Sequence, residues 1–204
     1  MAKVKVTKEE ADRLMKIPGN TRGAVLHGHF DYIRNSKGEK GLKAVEQRLE
    51  ELGYPIKAKE IVNLKWYSEA LSNLIVLVYA DIFQLEEKDI FEMAYQAPSY
   101  SLVVKLLMRH LIGLEKVFKE IPRYWRENFD FSKLETTEFN LKEKWAVLRL
   151  KGYHKYHPLS SCVYFQGYFL RIGEMVYNQG KIKVEHTKCL FKDDPYEEFK
   201  ITWK

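Results

Sequence analysis

The sequence predicts an α+β fold, with an N-terminal helical body packed on a small antiparallel sheet and one long helix in the C-terminal half. Three observations carry this. Up to about residue 130, apolar residues recur three and four apart, as on the buried face of a helix. From Leu134 the period changes to two, as in half-buried strands. Between two such alternating pairs stands a single helical stripe, Cys162, Phe165, Phe169, Ile172 and Val176.

Taken in order, Thr7 and Glu10 form a capping box that starts a short helix, and Pro18-Gly19-Asn20 ends it. Arg22-Gly23 opens a second helical segment with Val25, Leu26, Phe30 and Ile33, closed by Lys37-Gly38. A third runs from Glu39 to Leu52, with Leu42, Val45, Leu49 and Leu52 on one face and Gly53 at its C-terminal cap. Tyr54-Pro55 forces an extended link. The spacing predicts a central helix from Trp66 to Phe83 and another from Glu86 to Ala97, stopped by Pro98. Ser99 or Ser101 caps the next, which carries Val103 to Ile112; beyond Gly113 a helix continues from Leu114 to Pro122. Two strands follow, Leu134 to Leu141 and Lys144 to Leu150. Lys151 to His157 is a loop rich in Tyr and His, and Pro158 starts the long helix, which Asn178-Gln179-Gly180 ends. Ile182, Val184 and His186 alternate in one strand and Phe199, Ile201 and Trp203 in the last, joined as a hairpin through Cys189 to Pro195.

The chain has 204 residues, 46% of them hydrophobic and 14% aromatic, which suits one domain with a substantial core. Residues 1–130 form its mainly helical half and residues 131–204 its sheet-and-helix half. The net charge is +6, but basic and acidic residues alternate, so the charge reads as a solvated surface and not as a nucleic-acid stripe. The longest apolar run, Leu74 to Ala80, is far short of the roughly 18–20 residues of a membrane span, and the N-terminus lacks a signal-peptide core. Two cysteines, Cys162 and Cys189, make no disulfide framework and no C-x-x-C pair. A soluble, cytoplasmic protein is expected.

The residues support no catalytic constellation and predict a protein that is not an enzyme. Ser160-Ser161-Cys162 has no G-x-S-x-G elbow around it, and no glycine-rich phosphate loop occurs. Cys162 lies on the apolar stripe, where an inert core thiol is expected. Adjacent acids such as Asp193-Asp194 read as solvated turns. His27 and His29 stand two apart on a helix, so they face different ways, cannot share a metal ion and are expected at the surface. No metal site is expected. The aromatic supply is more telling, because apolar walls with a few polar tips line binding pockets. The candidate ligand-binding residues are Met108, His110, Phe118, Trp125, Tyr153, Tyr156, His157, Phe165 and Tyr168.

The run from Lys181 to Trp203, KIKVEHTKCLFKDDPYEEFKITW, resembles the closing hairpin of the superfamily that joins haem–nitric-oxide-binding domains, vinyl-reductase-type ligand-binding domains and the TRAPP transport subunits. Glu185, Cys189, the Asp193-Asp194 turn, Phe199 and Trp203 carry the likeness, as does the order of the preceding elements with Pro122, Trp125 and Gly167. Cys189 follows Glu185 by four residues, and Glu197 or Glu198 stands where the family often has Cys or His, which leaves a two-thiol or metal role for the turn unsupported. The resemblance implies a pocket between the helical and sheet halves for a small, largely apolar molecule. It implies a non-catalytic sensory or carrier domain that signals to a partner protein or to a second copy of itself. Haem is disfavoured and no cofactor is expected. The haem-binding members place their iron-ligating His a few residues before a Pro like Pro122, whereas residues 111–116 here contain none and His110 comes a turn early. Their Tyr-x-Ser-x-Arg propionate motif is replaced by Tyr153-His154-Lys155-Tyr156-His157. The alternatives are a haem-dependent gas sensor using His110 in a shifted register, or a dimeric interaction scaffold.

Overall fold

Thr7 begins the helical half by accepting the Glu10 N–H on its side-chain oxygen at 3.2 Å, which caps α1 (Lys8–Met15). The computed structural model describes residues 4–100, 104, 113–177 and 180–204. After α1 come β1 (Asn20–Arg22) and α2 (Gly23–Glu51). The latter holds both expected segments, joined by a kink at Gly38 with φ +69°, a conformation that glycine adopts without steric cost. Then follow β2 (Trp66–Ser68), α3 (Glu69–Phe83), α4 (Glu87–Tyr100) and α5 (Leu114–Asn128). The second half contains β3 (Lys133–Asn140), β4 (Trp145–Lys151), a π-helical turn (Leu159–Val163) that runs into α6 (Tyr164–Val176), then β5 (Ile182–Lys188) and β6 (Glu197–Trp203).

Three boundaries differ from the sequence expectation. Trp66 does not start a helix: Trp66–Ser68 pairs antiparallel with Asn20–Arg22, and the Arg22 guanidinium sits 3.8 Å over the Trp66 ring. The helix begins at Glu69, whose N–H donates to the Gly19 carbonyl at 2.9 Å. Pro98 and Pro122 both lie inside helices instead of ending them. Pro122 has no N–H for the Phe118 carbonyl four residues back, and the Thr136 hydroxyl donates to that carbonyl at 2.6 Å instead. The helix expected to carry Val103 to Ile112 falls outside the described residues, except for Val104, which is helical.

The main sheet has the order β3-β4-β6-β5, antiparallel throughout, with Leu148 opposite Phe199 and Val184 opposite Ile201. Its alternation is the expected one: Ala146, Leu148, Leu150, Phe199, Ile201 and Trp203 are all buried on the core side. Most core residues from the helices and from this face form one connected cluster, and Val117 with Ile172 form a second, small one. Gly167 brings α6 against α4. A Cβ there would meet the Phe91 carbonyl oxygen at 2.4 Å, so only glycine permits the approach.

Candidate functional site

A cavity of about 150 Å³ lies between α2, α5 and α6, reaching Ala97 of α4 and Leu134 of β3. Val117, Ile121, Trp125, Phe165, Phe169 and Ile172 give it apolar walls. The amphipathic spacing of α5 and α6 turns these side chains inward. Trp125 is fixed by donating its ring N–H to Ser132 at 2.9 Å and by stacking on Phe129 at 4.2 Å. Tyr164, Tyr168, Tyr124 and Asn128 add polar atoms to the wall. Burial pushes the Tyr168 hydroxyl up to about 12 and the Tyr164 hydroxyl higher, so both stay neutral donors.

A smaller annex of about 30 Å³ shares Val25, Phe129, Tyr164 and Phe165 with the cavity, and several polar side chains are among its lining. The start of α3 supplies Glu69, Ser72 and Asn73, α2 supplies His29, and the loop after β4 supplies Tyr153. Glu69 Oε1 accepts from Asn73 Nδ2 at 2.9 Å and from the Tyr153 hydroxyl at 3.1 Å. Glu69 Oε2 and Asn73 Oδ1 are buried without a hydrogen-bond partner. Burial pushes the Glu69 carboxyl up to about 8, against hydrogen bonds that favour its charged form, so at neutral pH it is largely protonated. His29 Nε2 bonds Ser72 Oγ at 3.0 Å, and burial drives its pKa down to about 4. His29 is thus a buried neutral residue and not the surface residue expected. It lies three after Leu26 and four before Ile33, on the apolar stripe of α2, and that spacing is the signal that could have placed it.

A second constellation lies at the hairpin. The π-helical turn presents Cys162 and the hairpin turn presents Cys189, whose sulfurs stand 3.2 Å apart. Glu197, fully buried at the start of β6, accepts from the Cys162 thiol at 3.6 Å and from the Leu190 N–H at 3.3 Å, and it bonds His186 Nε2. One donor atom from each of Cys162, His186, Cys189 and Glu197 lies within 4.8 Å of the others. Two thiols, an imidazole and a carboxylate are a donor set that a tetrahedral Zn²⁺ accepts. The sequence reading named no metal ligands because the four residues come from separate elements. Glu197, read as a departure from the family pattern, is here one of the four. Glu198 points elsewhere, accepting from Arg149 at 2.6 Å and from Thr187 at 3.0 Å.

No family model matches the chain, and no curated protein matches it. Solved structures do. An H-NOX protein from S. oneidensis in the Fe(II)NO ligation state aligns with a TM-score of 0.66 at 13% identity, covering 90% of this chain and 99% of that one. A mutant H-NOX protein from S. oneidensis in the Fe(II) ligation state gives 0.68 at 12%, covering 90% and 96%. An oxygen-binding H-NOX domain related to soluble guanylate cyclases, in its oxygen complex, gives 0.64 at 12%, covering 90% and 95%. The chain has the H-NOX fold. Identity at this level shows the architecture alone.

Within the H-NOX fold, the sequence candidates separate. Trp125, Phe165 and Tyr168 line the cavity, and Tyr153 and Phe165 line the annex. Phe118 packs in the core between Phe139 and Trp203, at 5.5 and 6.1 Å. Tyr156 is buried and donates to the Pro18 carbonyl at 3.2 Å. His157 accepts the Leu159 N–H at 3.2 Å, and burial lowers its pKa. None of these last three lines either space. Met108 and His110 fall outside the described residues.

The described lining does not fit haem. Among the described residues, no His, Cys or Met lines the cavity to ligate iron, and no Lys or Arg lines it to hold propionates. Its volume is that of a space that takes a benzene-sized guest. No helix among the described residues is long and apolar enough to cross a membrane.

Proposed function

We propose that the chain is a non-catalytic sensory or carrier domain, residues 1–204 acting as one unit, that binds a small, largely apolar molecule between its helical and sheet halves. Binding is passed on to a partner protein or to a second copy of the chain. The observation that carries this reading is the aromatic-walled cavity of about 150 Å³ between α2, α5 and α6. α6 forms its floor and also packs on the sheet, so a guest that shifts α6 has a physical route to the surface of the other half. Native mass spectrometry of freshly purified chain tests this. A second species heavier by the mass of one small molecule is expected; a bare chain that takes up no apolar probe would contradict it.

A second reading is a haem-dependent gas sensor using His110. It is favoured by the ligation states named for the solved neighbours, Fe(II)NO and oxygen. Haemin titration followed by absorbance separates the two. A Soret band that is lost in His110→Ala supports the haem reading, and no band removes it.

A further inference from the structure

We propose that the annex, through the unpartnered oxygens of Glu69 and Asn73, is a headgroup subsite for a primary ammonium, so that the chain takes a small amphipathic amine with its apolar body in the aromatic cavity. This rests on the reading of the cavity as a ligand site and names the class of ligand.

The annex and the cavity share four side chains as walls, so the two spaces adjoin, and past these side chains the proposed ligand would reach from one space to the other. Their sizes are unequal in the right sense: about 150 Å³ suits a body the size of a benzene ring, and about 30 Å³ suits one small polar group. Glu69 and Asn73 are 4% and 3% exposed, and each keeps one oxygen without a partner. Leaving such atoms bare in the interior is costly, and a donor from a ligand removes that cost. The Oε1 atom of Glu69 is already saturated by Asn73 and Tyr153, which fixes the carboxyl and leaves Oε2 for a ligand. An ammonium offers three donors and no acceptor, and so matches a pair of orphan acceptors better than a hydroxyl, which has one donor. A carboxylate or phosphate headgroup is refused, because among the described residues no Lys or Arg lines the annex, and His29 is neutral at physiological pH.

Charge balance then sets the pH dependence. The ammonium brings one positive charge, and Glu69 answers it by releasing its proton to solvent, so the buried pair is neutral overall. Other titratable groups around Glu69 are His29 from α2, Tyr153 and Tyr156 from the loop after β4, and Tyr164 from α6. Burial lowers the first to about 4 and raises the three tyrosines, so none of them titrates between pH 6 and 8. Affinity for the amine should therefore rise about tenfold per pH unit up to about pH 8, one proton being released per ligand.

Calorimetric titration of the full chain with benzylamine and with toluene tests this. At pH 8 benzylamine is expected to bind at least tenfold more tightly than toluene; towards pH 6 its affinity falls while that of toluene stays level. Glu69→Gln is expected to abolish the preference and its pH dependence while keeping toluene binding. If that variant fails to fold, the pH profile of the unmodified chain and its proton release in buffers of different ionisation enthalpy decide alone. Toluene binding without a preference for benzylamine, or a benzylamine affinity independent of pH, overturns the subsite and leaves the cavity reading standing. If neither probe binds, both fall.

Discussion

Tyr153 donates its hydroxyl to Glu69 Oε1 at 3.1 Å, across 84 residues of sequence. The bond ties the loop after β4 to the first turn of α3, and both groups are buried. It exists because the β1–β2 ribbon ends at Ser68 and delivers the next residue into the interior. Removing the donor with Tyr153→Phe leaves Oε1 only its bond from Asn73. A loss of about 1–2 kcal/mol is expected by chemical denaturation, with an unchanged dependence on denaturant.

Glu69 also gives stability a pH signature. Its folded pKa, about 8, is above the ordinary 4.5, so the folded state holds the proton more tightly. This contribution is fully present below about pH 4.5 and is lost as pH rises through about 8. His29 acts oppositely: its pKa falls from 6.5 to about 4, so its contribution is present above pH 6.5 and lost on acidification. Between pH 6.5 and 8 only the Glu69 slope of the two remains. Unfolding free energy should fall there by up to about 1.4 kcal/mol per pH unit relative to Glu69→Gln, and equal slopes in the two proteins would refute the buried-acid assignment.

Much of the fold was legible because it rests on periodicity. The Thr7 cap, the break at Gly38, the alternation of β4 and β6 and the stripe of α6 all stand as the spacing implied. Pro122 misled because a proline removes one donor without ending a helix when the freed carbonyl finds another partner, as Phe118 finds Thr136, and Pro98 likewise lies inside its helix. Of the candidate residues, Trp125, Phe165 and Tyr168 line the cavity because each faces inward along its own helix, and Tyr153 reaches the annex from a loop. Nothing in the spacing marked Glu69, since its burial depends on a three-residue ribbon with no detectable period. The hairpin cluster was hidden for the same reason, for Cys162 and Cys189 meet only when β5 and β6 fold beside the π-helical turn.

The Thr136 hydroxyl offers a double-mutant test. Thr136→Val is expected to cost about 1–2 kcal/mol, because the Phe118 carbonyl loses its donor. Pro122→Ala restores a backbone N–H to that carbonyl, so the Val substitution should cost measurably less when made together with Pro122→Ala. Additive effects would show that the hydroxyl does not replace the missing amide.

The hairpin cluster predicts a response to metal. After treatment with a chelator, added Zn²⁺ should raise the unfolding temperature of the chain and protect Cys162 and Cys189 from thiol reagents. Burial pushes the Cys162 thiol up, with Glu197 adding to it, so binding should release protons and weaken as pH falls. Glu197→Ala should remove most of the thermal shift. No shift with Zn²⁺ would mean that the four side chains form a hydrogen-bonded core and nothing more.

The cavity itself is tested most directly by toluene titration of the full chain beside its Ala97→Phe variant, with binding read by calorimetry. Ala97 lines the space, and a phenyl group there fills it. One saturable site in the parent, lost in Ala97→Phe with the unfolding temperature retained or raised, is the expected result. Equal binding to both proteins, or none to either, would contradict a ligand cavity between α2, α5 and α6.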